Sequence, residues 1–139
     1  MAVEWITPKT DWVSTDRFNK EDYNRIRNNL LCLHDFVQLL YPKQWYANLG
    51  NEITSYAALL HADMLNAMEE ELELLNQSSL VLSIGSRVTF YDNGRSIDYE
   101  ELNRIESAQL RLYEGLHYAA EGMQMLPIVL GWPNSAIRD

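Results

Sequence analysis

A six-residue segment occurs twice in this chain of 139 residues, and the duplication restricts the possible folds more than any other feature. Residues 21–26 read EDYNRI and residues 100–105 read EELNRI, which is 79 positions later (100 minus 21). Four of the six positions are identical, and a fifth exchanges Asp22 for Glu101. Because a recurring segment indicates that one structural unit is built twice, we expect both copies to adopt the same local structure.

Both copies carry the signals of a helix start. Asn19 and Asp98 stand where an N-cap residue is expected, and an acidic residue follows each of them three positions later, as in a capping box. Behind each cap, apolar residues recur at intervals of three and four, which places them on one helix face. The pattern predicts equivalent helices over about 19–40 and 98–120. The first should end before Pro42, because the residue ahead of a proline disfavours helical dihedral angles.

A third, long helix is expected between the two copies, over about residues 52–76, where apolar residues again recur at helical spacing. Within it, the acidic run 69–73 is predicted to form a solvated face, because consecutive acids point around a helix. Two short apolar runs, 80–84 and 87–91, flank a Gly-Ser pair, which is typical of a small β-hairpin. The tail 126–139 is the other candidate for an extended strand.

These elements predict a mainly α-helical bundle that forms one domain over residues 1–139. Residues 1–17 precede the first helix and form an aromatic N-terminal arm, and residues 126–139 form an extended tail. Apolar residues make up 47% of the chain and charged residues 22%, as expected for a folded domain with its own core. A chain of this length buries enough surface to be stable without disulfides or metals.

Charge and cysteine content disfavour several classes of partner and location. Eleven basic against twenty acidic residues leave a net charge of −9, which disfavours binding to nucleic-acid phosphates or to an anionic membrane surface. Cys32 is the single cysteine and has no internal disulfide partner. With no apolar run long enough for a membrane span and no signal-peptide pattern, we expect a reducing, intracellular compartment.

The candidate catalytic and metal-binding residues do not form a recognised motif. His34, His61 and His117 lie outside any His-Glu-x-x-His pattern, and Cys32 has no second cysteine at zinc spacing. Residues 92–95 begin like a calcium loop, but the twelfth position of that loop lacks the required glutamate. We therefore expect a protein that is not an enzyme and holds no metal or cofactor. A metal-binding bundle enzyme is the least favoured hypothesis.

Each helix start carries an Asn-Arg pair, Asn24-Arg25 and Asn103-Arg104. The arginines can pair with glutamates four positions earlier on the same helix face. Asparagine is a poor residue for a helix interior, so Asn24 and Asn103 need another role. We expect their amides to bind the backbone of an incoming loop and to clamp it on the helix start, with ligand recognition as the alternative.

Three of the four tryptophans are candidate interface residues. Trp5 and Trp12 belong to the N-terminal arm, and Trp132 belongs to the tail. Protein interfaces are enriched in tryptophan, but aromatic residues dominate cores as well. The arm is therefore expected to dock either on its own bundle or on a neighbouring subunit.

Residues 12–30 (WVSTDRFNKEDYNRIRNNL) resemble a segment that recurs in tail and baseplate-associated proteins of bacteriophages and of phage tail-like particles from Gram-positive bacteria. In that family the segment often opens a tail-fibre protein. Residues 91–94 (YDNG) followed by 97–106 (IDYEELNRIE) are similar to the second copy in that family, and residues 126–131 (LPIVLG) are similar to its short terminal strand. The resemblance therefore spans most of the chain.

The resemblance implies a non-enzymatic virion structural protein of a tail, baseplate or tail-like particle. Because no fibre or receptor-binding repeats follow, an adaptor or fibre-attachment subunit is expected rather than a receptor-binding protein. Its partners would be other tail or baseplate proteins and further copies of itself within the particle. Its location would be the host cytoplasm during assembly and then the virion.

A small acidic inhibitor, such as an immunity or DNA-mimic protein, is the alternative of a different class. The net charge of −9 favours it, because such proteins present carboxylates to a basic partner. Pairing of the acids with arginines on the helices disfavours it. The two hypotheses predict different partners, which are virion proteins in the first and a soluble basic enzyme in the second.

Overall fold

The computed structural model describes residues 4–47, 49, 62–91 and 97–122. Three helices lie within these residues: α1 (Lys20–Leu40), α2 (Ala62–Gln77) and α3 (Tyr99–Gly122). Each helix packs against the other two. The expected mainly helical architecture is confirmed, and α1 and α3 coincide with the equivalent helices predicted at the two sequence copies.

The starts of α1 and α3 are built in the same way. At α1, the Asn19 side chain accepts a hydrogen bond from the backbone of Asp22, and the Asp22 carboxylate accepts one from the backbone of Asn19, both at 3.1 Å. At α3, Asp98 and Glu101 exchange the corresponding bonds at 3.1 and 3.3 Å. These boxes satisfy backbone donors that have no partner inside the helix. α1 ends ahead of Pro42, with Tyr41 as its extended C-cap.

The apolar stripes of the three helices meet in one core. Ile26 and Ile105, at the same position in the two copies, are 0% and 1% exposed. Gln109 interrupts the stripe of α3 and is nevertheless fully buried, where its Nε2 donates to the backbone oxygen of Ile26 at 3.0 Å. The other fully or nearly fully buried apolar side chains of the helices include Tyr23, Leu30, Leu33, Val37, Met68, Leu72, Leu75, Leu112 and Leu116.

Parts of the predicted architecture differ or lie outside the described residues. The central helix, expected over 52–76, is described from Ala62, and residues 50–61 lie outside the described range. Residues 80–91, here called the second segment, contain no β-strand, and none is found elsewhere in the described part of the chain. The tail 126–139 lies outside it. None of the described helices is long and apolar enough to cross a membrane.

Candidate functional site

Two asparagines hold the N-terminal arm against α1 and α3. The Asn103 side chain accepts a hydrogen bond from the backbone nitrogen of Trp12 at 2.8 Å and donates one to the backbone oxygen of the same residue at 2.9 Å. Asn29 binds both backbone groups of Ile6 in the same way, at 3.0 and 2.8 Å. A side-chain amide has one acceptor and two donors, so it can replace a neighbouring strand. The arm therefore satisfies backbone groups without joining a sheet.

The Glu106 carboxylate on α3 lies beneath the arm and is fully buried. Its Oε1 accepts from the backbone nitrogen of Lys9 at 3.0 Å and from Arg25 Nε at 2.9 Å. Its Oε2 accepts from the Trp12 indole at 2.9 Å and from Arg25 Nη2 at 2.6 Å. Four donors thus compensate a charge that would be very costly to bury alone. Glu106 joins the arm, α1 and α3 at one point.

Arg25 is held by two carboxylates. Besides Glu106, its Nη1 donates to Asp22 at 2.9 Å. Burial by itself lowers the pKa of the Arg25 guanidinium, but the hydrogen bonds and charges of Glu106 and Asp22 outweigh burial, and the pKa is raised. Three donors of the planar guanidinium are therefore fixed, which gives the start of α1 a defined position on α3.

The tryptophans of the N-terminal arm contact their own bundle. The Trp5 ring stacks on Tyr113 of α3 with the ring centres 4.0 Å apart. Trp12 is 3% exposed and packs on Phe18 in addition to its bond to Glu106. The prediction of Trp12 as an interface residue does not fit this burial, because its ring is part of the core. Trp132, the third candidate, lies outside the described residues.

The second segment is held on α2 by the same device. Asn66 binds both backbone groups of Phe90 at 2.8 and 2.9 Å, and Asn76 binds both groups of Leu82 at 2.7 Å. Leu82 and Phe90 belong to the two runs expected to pair with each other. Their backbone groups bind side chains of α2, and no strand is described between residues 80 and 91.

Glu69 of α2 lies beneath the second segment in the same way that Glu106 of α3 lies beneath the N-terminal arm. Its carboxylate is 1% exposed, accepts from Arg104 of α3 and accepts a backbone hydrogen bond from Val88. Burial raises the pKa of the Glu69 carboxyl, and the Arg104 charge opposes this rise. Glu69 therefore does not belong to the solvated face that was predicted for the acidic run 69–73, whereas Glu70 of the same run is exposed.

The duplication extends beyond the helix starts. Val88 lies 79 positions after Lys9, and Arg104 lies 79 positions after Arg25 (88 minus 9; 104 minus 25). In each copy, a backbone donor of the extended segment and the arginine of the following helix bind one buried glutamate. We call the arm with Arg25 the first unit, and the second segment with Arg104 the second unit.

A third buried carboxylate, Glu71, holds the chain that follows α1. Its Oε2 lies 2.9 Å from His34 Nδ1, and its Oε1 accepts from the Trp45 indole at 3.0 Å. The His34 and Trp45 rings also meet edge to face. Burial raises the pKa of the Glu71 carboxyl, whereas the bonds from Trp45 and His34 lower it. Glu71 too was expected to face solvent and is 3% exposed.

The predicted clamp residues Asn24 and Asn103 make different contacts in the two copies. Asn103 binds the arm backbone, as described above. Asn24 is half-buried at the start of α1 and engages in a contact of its own. Arg25 pairs with Asp22 on its own helix, but it also pairs with Glu106 on α3, and Arg104 pairs with Glu69 on α2. The arginines therefore connect helices, a role that pairing within one helix does not provide.

Sequence reasoning missed Glu106, Glu69 and three of the asparagines. A signal was nevertheless present, because Asn29 and Asn66 stand inside predicted helices, where asparagine is unfavourable, whereas Asn76 stands at a predicted helix end. In each unit, moreover, one of the two clamping asparagines (Asn103 or Asn66) precedes the buried glutamate by three positions, which places both side chains on one helix face. The spacing Asn-x-x-Glu thus marks the helix surface that binds an extended segment.

Two observations concern reactive groups. Burial raises the pKa of the Cys32 thiol to about 11, so at neutral pH it is a thiol rather than a reactive thiolate. Among the described residues, no group of three or more His, Cys, Asp or Glu side chains is arranged to hold a metal ion.

Comparison of the chain with protein-family models, with curated proteins and with solved structures found no match.

Proposed function

We propose that this chain is a non-enzymatic virion structural protein of a phage tail, baseplate or tail-like particle, acting as an adaptor or fibre-attachment subunit. The observation that carries the proposal is the duplicated unit of extended segment and capped helix. Residues 12–30, whose sequence resembles tail and baseplate proteins, contain the clamped Trp12, the capping box and Arg25. The resemblance thus falls on the residues that fix the first unit.

The described surface offers tyrosines to a neighbouring subunit. Tyr46 is 97% exposed, Tyr118 is 81% exposed and Tyr91 is 70% exposed. Tyrosine is enriched in protein interfaces because it supplies a large contact area together with a polar end. Since Trp12 is buried in its own chain, these tyrosines are the better candidates for contacts within a particle.

Mass spectrometry of purified particles tests this proposal. The chain should copurify with tail or baseplate proteins in a fixed ratio through two successive density gradients, while an abundant host cytoplasmic protein is lost. A Tyr118→Ala variant should fold normally but enter particles less efficiently than a Ser14→Ala control. If the chain is absent from particles or present only in traces, the virion role is wrong.

An acidic inhibitor remains the second candidate, because the net charge of −9 is favourable for a basic partner. Glu69, Glu71 and Glu106 are buried and bind groups of their own chain, so they contribute little to an acidic surface. Capture of a soluble basic nuclease by the tagged chain, reversed by moderate salt, would favour this function over the virion role.

A further inference from the structure

A cavity of about 460 Å³ lies between α2 and the second segment. The segment passes over α2 as an arch, because Asn76 holds it at Leu82 and Asn66 holds it at Phe90. Between these points, Gly85 adopts a φ of +85°, in the left-handed region that favours glycine. A Cβ built there would lie 2.7 Å from Cδ of Arg104, so glycine lets the arch pass directly over this side chain.

Arg104 forms part of the cavity wall, and several of its N–H donors make no hydrogen bond to the described residues. Its equivalent in the first unit, Arg25, uses three donors, two on Glu106 and one on Asp22. Within the described part of the chain, Arg104 makes one hydrogen bond, to Glu69. A guanidinium carries five N–H donors in a planar fork that matches a carboxylate. Arg104 can therefore bind a second carboxylate without losing Glu69.

The rest of the wall indicates the kind of molecule that carries this carboxylate. The charged side chains are balanced, because the Glu73–Arg87 pair at the rim (3.1 Å) accompanies the Glu69–Arg104 pair inside. The aliphatic part of the lining comes from Leu72, Val81, Leu82 and Ile84. An apolar wall beside one underused guanidinium suits an aliphatic group that ends in a carboxylate.

We propose that this cavity binds an aliphatic carboxylate, with its charged end on Arg104 and its apolar part against the aliphatic wall between α2 and the second segment. Two sources share this chemistry, a free branched-chain acid and the C-terminal carboxylate of a polypeptide that ends in an aliphatic residue. The proposal does not rest on the virion role, since it is argued from a cavity within this chain alone.

Nuclear magnetic resonance titration of the full chain, labelled with ¹⁵N, tests the proposal with three probes. These are 4-methylpentanoate, N-acetyl-leucine and N-acetyl-leucinamide, the last of which lacks the carboxylate. We expect both acids to give saturable shifts at the Gly85 and Ser86 amides and at Arg104 Nε, and the amide to give none. Tighter binding of 4-methylpentanoate indicates a free acid, and tighter binding of N-acetyl-leucine indicates a chain end. Equal shifts with all three probes, or no saturable shift, would overturn the proposal.

A matched pair of variants keeps the test independent of folding. Ser86→Asp places a negative charge at the cavity, and Ser14→Asp places the same charge on the exposed turn of the N-terminal arm. Repulsion should weaken binding of the acids about tenfold in Ser86→Asp, the size expected when a charge-assisted hydrogen bond is lost, and leave it unchanged in Ser14→Asp. Equal affinities in the two variants would show that the acids bind elsewhere.

Discussion

In the first unit, Glu106 accepts four hydrogen bonds and Arg25 uses donors on two carboxylates. In the second unit, Glu69 binds Arg104 and one backbone donor, and a cavity opens beside that arginine. The same sequence motif thus leads to two different arrangements. We call the first unit closed, because its charged groups are fully engaged with one another, and the second unit open, because a cavity lies beside its arginine.

Two substitutions between the copies affect how closely the extended segment lies on the bundle. Gly85 corresponds to Ile6, and Ala108 corresponds to Asn29 (each pair 79 positions apart). Asn29 draws the arm onto α1 by binding Ile6, whereas alanine at 108 has no amide with which to bind Gly85. The arm therefore lies flat on the bundle, and the second segment arches. Both copies therefore keep the pair of buried glutamate and arginine, and they differ in the side chains that bind the backbone of the extended segment.

The largest expected effect comes from removing the charge of the closed unit. Glu106→Gln removes the negative charge that pairs with Arg25 and replaces one accepting oxygen with an NH2 group, which faces N–H donors in a fully buried site. This change should cost about 3 kcal/mol of unfolding free energy. Glu69→Gln should cost less than half as much, because that carboxylate accepts fewer hydrogen bonds. Urea unfolding at pH 7 measures both. Equal losses would mean that the two units are energetically alike.

Loss of a clamp should be the next largest effect. Asn103→Ala leaves the backbone groups of Trp12 without partners, and Asn66→Ala does the same for Phe90. Because both of these residues are 3% exposed, each variant should lose about 2 kcal/mol, the cost of buried unpaired polar groups. Hydrogen exchange provides the second measurement. Protection should fall over the N-terminal arm in Asn103→Ala and over the second segment in Asn66→Ala. A loss of protection spread over the whole molecule would contradict the idea of two separate clamps.

Gly85→Ala should have a smaller effect of the same sign. The new methyl group meets the Arg104 stem and the residue must keep a positive φ, so we expect a loss of about 1 kcal/mol or somewhat more. Gly122→Ala is the control, because a Cβ there meets nothing within 4 Å at the end of α3. That change should be neutral or slightly stabilising by thermal unfolding. A neutral Gly85→Ala would show that the arch can move away from Arg104.

The sequence predicted the parts of this architecture that depend on local rules. The capping boxes at Asn19 and Asp98, the end of α1 before Pro42 and the inward-facing Ile26 and Ile105 follow from helix geometry and hydrophobic spacing. These features need information from only a few neighbouring residues, and all of them are found in the structure.

The buried carboxylates could not be predicted from the same rules. Glu69 and Glu71 lie in an acidic run that has the composition of a solvated face, and their partners Arg104 and His34 are 35 and 37 positions away. Burial of such a charge is favourable only when that distant partner is already in place. Over residues 80–91, where a hairpin was predicted, the structure describes no strand, and Asn66 and Asn76 bind backbone groups of Phe90 and Leu82.

The smallest effect concerns the pH dependence of the stability that Glu69 contributes to the open unit. Burial raises the pKa of the Glu69 carboxyl in the folded protein, and Arg104 offsets this only in part. The stability that Glu69 contributes is therefore fully present below its unfolded pKa of about 4.3 and is lost as pH rises through the folded pKa. Glu69→Gln lacks this titration, so the stability gap between wild type and variant should narrow from pH 4 to pH 7.

Urea unfolding at several pH values measures this gap, and Asn66→Ala is the control. That variant removes an uncharged side chain from the same helix, so its loss of stability should stay constant over the same pH range. A gap for Glu69→Gln that widens toward pH 7 would mean that the Arg104 charge outweighs burial. The open unit would then hold its carboxylate as an ion pair as firmly as the closed one, and Arg104 would have less capacity to bind a second carboxylate.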